Sequence, residues 1–488
     1  MNSETLAPAS SQGRIEDMRM LSPKYTEDAM PVPIDFVPTP TNAFRQHRKT
    51  VKAFVEPGEP RSASAAPQRV GAGPILIPIP LPLIRGSRVL IWKQDPSVGE
   101  IGVRKSFLPG NVVAGPADSR IHIEGLPLVS PNAFGDFIAT PGTDAFDAVH
   151  TFAVVRETLT MFQRAQGGAP LPWQWNTAGN TDPLRVLPRA GETMNAFYSR
   201  QEKALKFFFF SASAPPPTHR VFTCRSFDIV AHETGHAVLD GLKPGWLGIG
   251  NPPQTGGLHE SFGDLSAIFL ALSQFDQVEA VIAQTKANLH DKTFLADLAE
   301  EFGLALGRPN GLRNADNDLR LSQVGTEVHA ISQVFTGAVY DILADLFAFE
   351  RQTAKRDDAA TLYQVGQYLL SLVLRSLIAA PAVGATYANV ANQMLFISAA
   401  DGKPAQYRTF IRNRFTLREV IVSPVPLSEG MQEMKEGQEF APAVTDAKNA
   451  VQNREGCCGT MNAPEYRGKL DDIDDEYNQL KKVVGKTK

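Results

Sequence analysis

His232, Glu233 and His236 stand in the order His-Glu-x-x-His within Ser226-Phe-Asp-Ile-Val-Ala-His-Glu-Thr-Gly-His-Ala-Val-Leu-Asp240. The apolar spacing of this stretch predicts a helix, and residues four apart on a helix project from one face about one turn apart. Two imidazoles so placed can direct ring nitrogens at a single metal ion, and zinc suits such a donor set. Glu233 follows the first histidine. From there its carboxylate reaches a water on that ion without binding the ion, which is where a general base for hydrolysis has to stand. A histidine pair on an apolar helix also fits core residues satisfied by backbone carbonyls, so the rest of the chain has to supply a third ligand.

Downstream, Gly241 and Pro244 predict a helix end, and Asn251-Pro252-Pro253 with Gly256-Gly257 predicts a loop. Leu258 to Leu272 then reads as a second amphipathic helix, on which Glu260 and Asp264 are four apart and share a face. One carboxylate can be the third metal ligand while the other accepts the second ring N–H of a ligating histidine. Three protein ligands and one open position make a catalytic zinc arrangement. The plain alternative is two solvated helix acids.

Together, His232, Glu233, His236, Glu260 and Asp264 resemble the pattern of the thermolysin-like branch of the gluzincin metallopeptidases, with some features similar to the fungalysins. The resemblance implies that His232, His236 and Glu260 hold zinc, that Glu233 is the base, and that Asp264 aligns the His232 ring. Twenty-three residues separate His236 from Glu260, a longer loop than in thermolysin. The implied fold is α+β and two-lobed: a mixed α/β N-terminal lobe, a mainly α-helical C-terminal lobe, and zinc in the cleft.

Further segments carry the resemblance. Asp144 to Phe162 is similar to the long first helix of the family's catalytic domain, and Met194-Asn195-Ala196-Phe197-Tyr198 to an edge strand that pairs with an extended peptide. The resemblance therefore places Asn195 and Ala196 on the substrate backbone. An enzyme that cuts many sequences holds its substrate by main-chain hydrogen bonds, and a strand edge supplies them. Leu312-Arg313-Asn314 is similar to a segment whose arginine bonds a substrate carbonyl. Val328-His329-x-x-Ser332 is similar to one whose histidine stabilises the oxyanion, a charge present only in the transition state.

Some family positions differ. The aspartate five residues before the oxyanion histidine falls on Val324, with Glu327 the nearest acid, and the assisting tyrosine falls near Asn251. Asp228 matches one calcium ligand, but Ala271 stands where a glutamate belongs. One carboxylate cannot hold a hard cation that wants six to eight oxygens. The paired calcium site is therefore expected to be missing, with Asp228 left as a first-turn acid at the positive end of the helix dipole.

The function these features imply is zinc-dependent endopeptidase activity on a peptide or protein substrate. One rival is a zinc-binding but catalytically feeble relative acting as a peptide-binding or interaction module. The other is an aminopeptidase, which would need an acidic motif to grip a free amine; no Gly-x-Met-Glu-Asn occurs.

The 488 residues, 43% hydrophobic, suffice for a large core divided into two or three units. A net charge of −4 with no Lys/Arg-rich run argues against a nucleic-acid partner. The polar start, Met1 to Ser10, is followed by no apolar leader, which predicts a cytoplasmic protein or one exported by a non-classical route. Cys224, Cys457 and Cys458 form no disulfide framework. The oligomeric state is not set by any of these features.

Five regions follow from the pattern. Residues 1–70 read as a flexible arm and 71–135 as a small β-rich segment opening with Pro74 to Ile84, whose prolines forbid a membrane helix. Residues 136–250 read as the α/β catalytic lobe, with Leu205 to Phe210 predicted as one strand buried on both faces. Residues 251–422 read as the mainly α lobe, with helices at Glu260 to Phe275, Thr285 to Leu306, His329 to Phe349 and Ala360 to Ala380. Residues 423–488 read as a polar tail.

Overall fold

The first described residues alternate in burial. In β1 (Gly86–Trp92) Val89 and Ile91 turn inward, and the strand pairs antiparallel with β2 (Val103–Pro109), Gly86 opposite Pro109 and Trp92 opposite Val103. The computed structural model describes residues 86–212, 217–248, 250–309 and 311–422. The expected arm, the Pro74–Ile84 run, the polar tail and Cys457-Cys458 lie outside these residues. Of the chain's two units, Met1–Pro80 and Leu81–Lys488, the second holds every described element.

A four-stranded sheet runs in the order β3 (Ile121–Ile123), β4 (Leu184–Leu187), β6 (Ala204–Phe207), β5 (Ala196–Ser199). The first three are parallel, while β5 pairs antiparallel with β6 and closes one edge. Between β3 and β4 lies α1 (Asp144–Ala165), started by Thr143, whose hydroxyl accepts the Phe146 N–H. Its apolar face, including Val149, Phe152 and Phe162, joins the core against β1 and the helix Phe227–Leu242.

Leu205 to Phe210 is two strands and not one. Phe208 leaves the β5–β6 ladder and exchanges hydrogen bonds with Thr223, and the chain resumes as β7 (Phe209–Ala212) paired with β8 (His219–Phe222). Phe207 and Phe210 are buried, while Phe209 is half-buried and lies 5.4 Å from the Phe222 ring. An unbroken apolar run carries no mark of a strand changing sheets.

The rest is mainly helical: α2 (Phe227–Leu242), α3 (Pro253–Leu272), α4 (Phe275–Thr285), α5 (Glu300–Ala305), α6 (Val328–Glu350), α7 (Asp358–Ala379), α8 (Tyr387–Ala400) and α9 (Ala405–Leu417). The fold is thus α+β, as expected. Every residue of α3 is buried, and it packs between α2 and α6. Helix α6 is long and apolar enough to cross a membrane, yet 94% of its most apolar window is buried within the chain.

Three helix boundaries differ from expectation. Gly241 lies inside α2, where a Cβ would stand 2.1 Å from the Pro172 carbonyl oxygen. Gly256 and Gly257 lie inside α3, because Pro253 starts the helix a turn earlier, and a Cβ on Gly257 would meet the Tyr387 hydroxyl at 2.1 Å. Gly241 and Gly257 thus serve close packing and not helix ends. The helix expected over Thr285 to Leu306 forms only at its end, as α5: Lys286 and Ala287 take positive φ, and Phe294, Leu295 and Leu298 reach the core from turns and from the short strand β9 (Asp297–Leu298). Its partner is β10 (Arg313–Asn314).

Candidate metal centre

Ser226 opens α2 by accepting the Ile229 N–H, and the helix sets His232, Glu233 and His236 with donor atoms all within 4.8 Å of one another. All three are buried. Helix α3 crosses α2 at a glycine contact: a Cβ on Gly235 would lie 2.3 Å from Ser266 Oγ, and one on Gly263 would lie 2.6 Å from the His232 ring. Without side chains there, the two backbones approach closely enough for Glu260 to reach both histidines.

Glu260 Oε2 is 3.5 Å from His232 Nε2, and Oε1 is 3.5 Å from His236 Nε2. These spacings exceed those of good hydrogen bonds, and His232 Nε2 is buried with no hydrogen-bond partner among the described residues. Ligands held at about 2.0–2.1 Å from a tetrahedral ion stand roughly 3.3 Å from one another. Two imidazole nitrogens and one carboxylate with this spacing therefore fit a metal ion.

The surrounding groups fix the rings. His232 Nδ1 lies 3.0 Å from Asp264 Oδ1, and the same oxygen accepts Arg313 Nε at 3.1 Å and Nη2 at 2.9 Å. His236 Nδ1 lies 2.7 Å from Nδ1 of the buried His259. Burial works against charge on His232, but the Asp264 and Glu260 carboxylates outweigh it and raise its pKa to about 10. Burial pushes His236 well below its usual value and His259 down to about 3. Burial alone would raise Glu260, yet the His329, His236 and His232 rings around it hold it well below the usual carboxylate range.

His329 sits in the first turn of α6 with Nε2 3.4 Å from Glu260 Oε2. Its Nδ1 is 2.6 Å from Glu327 Oε1, which also accepts the His329 backbone N–H at 3.0 Å, while Oε2 accepts that of Ala330 at 2.7 Å. The orienting acid that Val324 cannot provide is thus the helix-capping Glu327. Asn251 takes no part here: its Nδ2 donates to the carbonyls of Gly245, Trp246 and Gly248, which shapes the loop between α2 and α3.

Asn195 immediately precedes the edge strand β5, and its Oδ1 accepts the Ala196 N–H at 2.8 Å. The far end of β5 is tied to α2, since Tyr198 and Arg200 both donate to Asp240 Oδ2 at 2.8 Å. Ala196, Glu233, His232, Asp264 and Arg313 line one pocket of about 40 Å³, completed by Ile229, Ala267, Leu298, Phe302 and Leu312 among others. Of the expected site residues, this pocket gathers His232, Glu233, Asp264, Ala196 and Arg313, while His236, Glu260, His329 and Asn195 are not part of its lining.

Asp228 lies in the first turn of α2, as expected. It is buried, its Oδ2 accepts the Ala299 N–H at 3.2 Å, and the neighbouring Asp95 carboxylate adds to burial in raising its pKa. Glu300 is raised well above its usual value by burial and by Asp228 and Asp95. Asp95 and Glu300 come from distant segments, so sequence spacing gave no sign of this cluster. His259 and the bond from Glu327 to His329 were also missed, although each residue lies within two positions of a candidate site residue.

Compared with protein-family models and with curated proteins, the chain matches none.

Proposed function

We propose that this chain is a zinc-dependent endopeptidase with a thermolysin-like two-lobed fold, acting on a peptide or protein that lies between a mixed α/β lobe and a mainly α lobe. The observation that carries the reading is the paired 3.5 Å spacing of Glu260 from His232 and His236, with the Glu233 carboxylate within 4.8 Å of both histidines' ring nitrogens. Zinc, when bound there, supplies Lewis acidity and a nucleophile at neutral pH.

The chain's own residues do the rest. Glu233 takes a proton from the attacking water and delivers it to the leaving amine nitrogen. The ionised Glu327 accepts a hydrogen bond from Nδ1 of His329 and so orients the ring whose Nε2 is offered to the oxyanion. Asp264 holds the His232 ring by its Nδ1. Ala196 on the edge strand, with Asn195 before it, aligns the substrate backbone, and Arg313, braced on Asp264, lines the same pocket. The apolar wall from Ile229 to Leu312 receives a substrate side chain.

A second reading, a zinc-binding interaction module with little turnover, is favoured by Asn251, which is committed to its loop where the assisting tyrosine was expected. An internally quenched peptide with a blocked N-terminus separates the readings. The zinc-loaded full-length protein is expected to cleave it internally, and Glu233→Gln to keep zinc while losing about 10²–10⁴-fold in rate. Full zinc occupancy without cleavage by the parent would establish the module instead.

A further inference from the structure

His259 directly precedes Glu260 on α3, and its imidazole lies against His236 with ring centres 4.9 Å apart and planes inclined by 28°. Both rings are buried, and their Nδ1 atoms are 2.7 Å apart. Two ring nitrogens at that distance hold one proton between them. Which ring carries it follows from the other end of His236, where Nε2 faces Glu260 Oε1. A nitrogen that binds a metal offers a lone pair, so the His236 proton sits on Nδ1. His259 then accepts at Nδ1 and carries its own proton on Nε2.

We propose that His259 is a positioning residue: it fixes the tautomer and rotation of the metal ligand His236, as Asp264 does for His232. The proposal rests on reading the site as a metal centre. It gives the two ligands unlike partners. His232 is held by a carboxylate that is itself braced by Arg313, whereas His236 is held by a neutral ring that adds no charge beside Glu260. A carboxylate at position 259 would have added an anion to a buried site that already holds Glu233, Glu260 and Asp264.

The test uses the full-length chain and three proteins: wild type, His259→Leu and His259→Asn. Leucine places a methyl where Nδ1 stands, and asparagine places a carbonyl oxygen there. Zinc affinity is measured by chelator competition, and ligand geometry by the visible absorption of the cobalt-substituted proteins. His259→Leu is expected to weaken zinc binding about 10–100-fold and to shift the cobalt bands, and His259→Asn to restore most of both. Equal affinity and identical bands in wild type and His259→Leu would overturn the proposal, as would an asparagine variant as damaged as the leucine one.

Nitrogen-15 shifts of the zinc-loaded wild type need no variant. They are expected to show protonated Nδ1 on His236 and protonated Nε2 on His259, and the reverse arrangement would also overturn the proposal. Failure of the wild type to bind zinc or cobalt at all would instead remove the metal centre itself, and the proposal with it.

Discussion

Glu327 Oε1 accepts two hydrogen bonds from His329, one from the backbone N–H at 3.0 Å and one from ring Nδ1 at 2.6 Å. One carboxylate oxygen therefore caps α6 and aims the imidazole. Glu327→Gln is expected to lower kcat about 10–100-fold with KM little changed. His329→Ala is expected to cost about 10²–10³-fold in kcat. Because the glutamate acts through the histidine, the double variant should be no slower than His329→Ala alone. Additive losses in steady-state kinetics would show that the two residues work independently.

Glu260→Gln is expected to strip most of the zinc, since it replaces the one anionic member of the ligand set. Metal content after dialysis, measured by atomic absorption, checks this. Full occupancy in the variant would mean that Glu260 is not a ligand.

Gly263→Ala introduces a Cβ 2.6 Å from the His232 ring. Overpacking of this kind costs about 1–3 kcal/mol, and the displaced ring also loses its place at the metal. Chemical denaturation with and without zinc is expected to show both a less stable metal-free protein and a smaller gain from zinc. A variant matching the parent in both would show that α2 and α3 separate easily.

The carboxyl cluster predicts a pH dependence. Burial and the Asp95 carboxylate raise Glu301 from 4.5 to about 7, and Asp228 and Glu300 are raised as well. The folded state therefore binds these protons more tightly than the unfolded chain does, and stability falls as pH rises from the ordinary carboxylate range through about 7. Below that range the folded and unfolded chains are equally protonated and this loss is absent. Thermal unfolding of the metal-free protein between pH 5 and pH 8, conditions set by this window, should show the decline, and Glu301→Gln should flatten it. An unchanged slope in the variant would assign the effect elsewhere.

How much of this was legible in the chain depended on whether a signal was local. His232, Glu233, His236, Glu260 and Asp264 announce themselves by spacing on two helices, because helix geometry converts sequence intervals directly into directions. The helix read from Asp144 to Phe162 was legible as well, and forms as α1. What failed was non-local. Gly241 and Gly257 look like breakers in sequence, and only Pro172 and Tyr387, far along the chain, reveal them as packing positions. The approach of Asp95 to Asp228 joins residues more than a hundred positions apart, for which no periodicity speaks. Glu327 was noticed as an acid but not as the partner of His329, since its side chain folds back over two residues in a cap that spacing alone does not describe.

The glycine contact between α2 and α3 bears on when the metal site becomes organised. Gly235 and Gly263 let backbone approach backbone, the short Ser266 side chain and the His232 ring, leaving little space between the helices. On the proposed reading the two helices form a jaw in which Glu260 and the two histidines would meet an arriving ion already gathered. The conformational entropy of gathering three ligands is lost during folding and not at binding. An ion can consequently leave and be replaced while the jaw stays set.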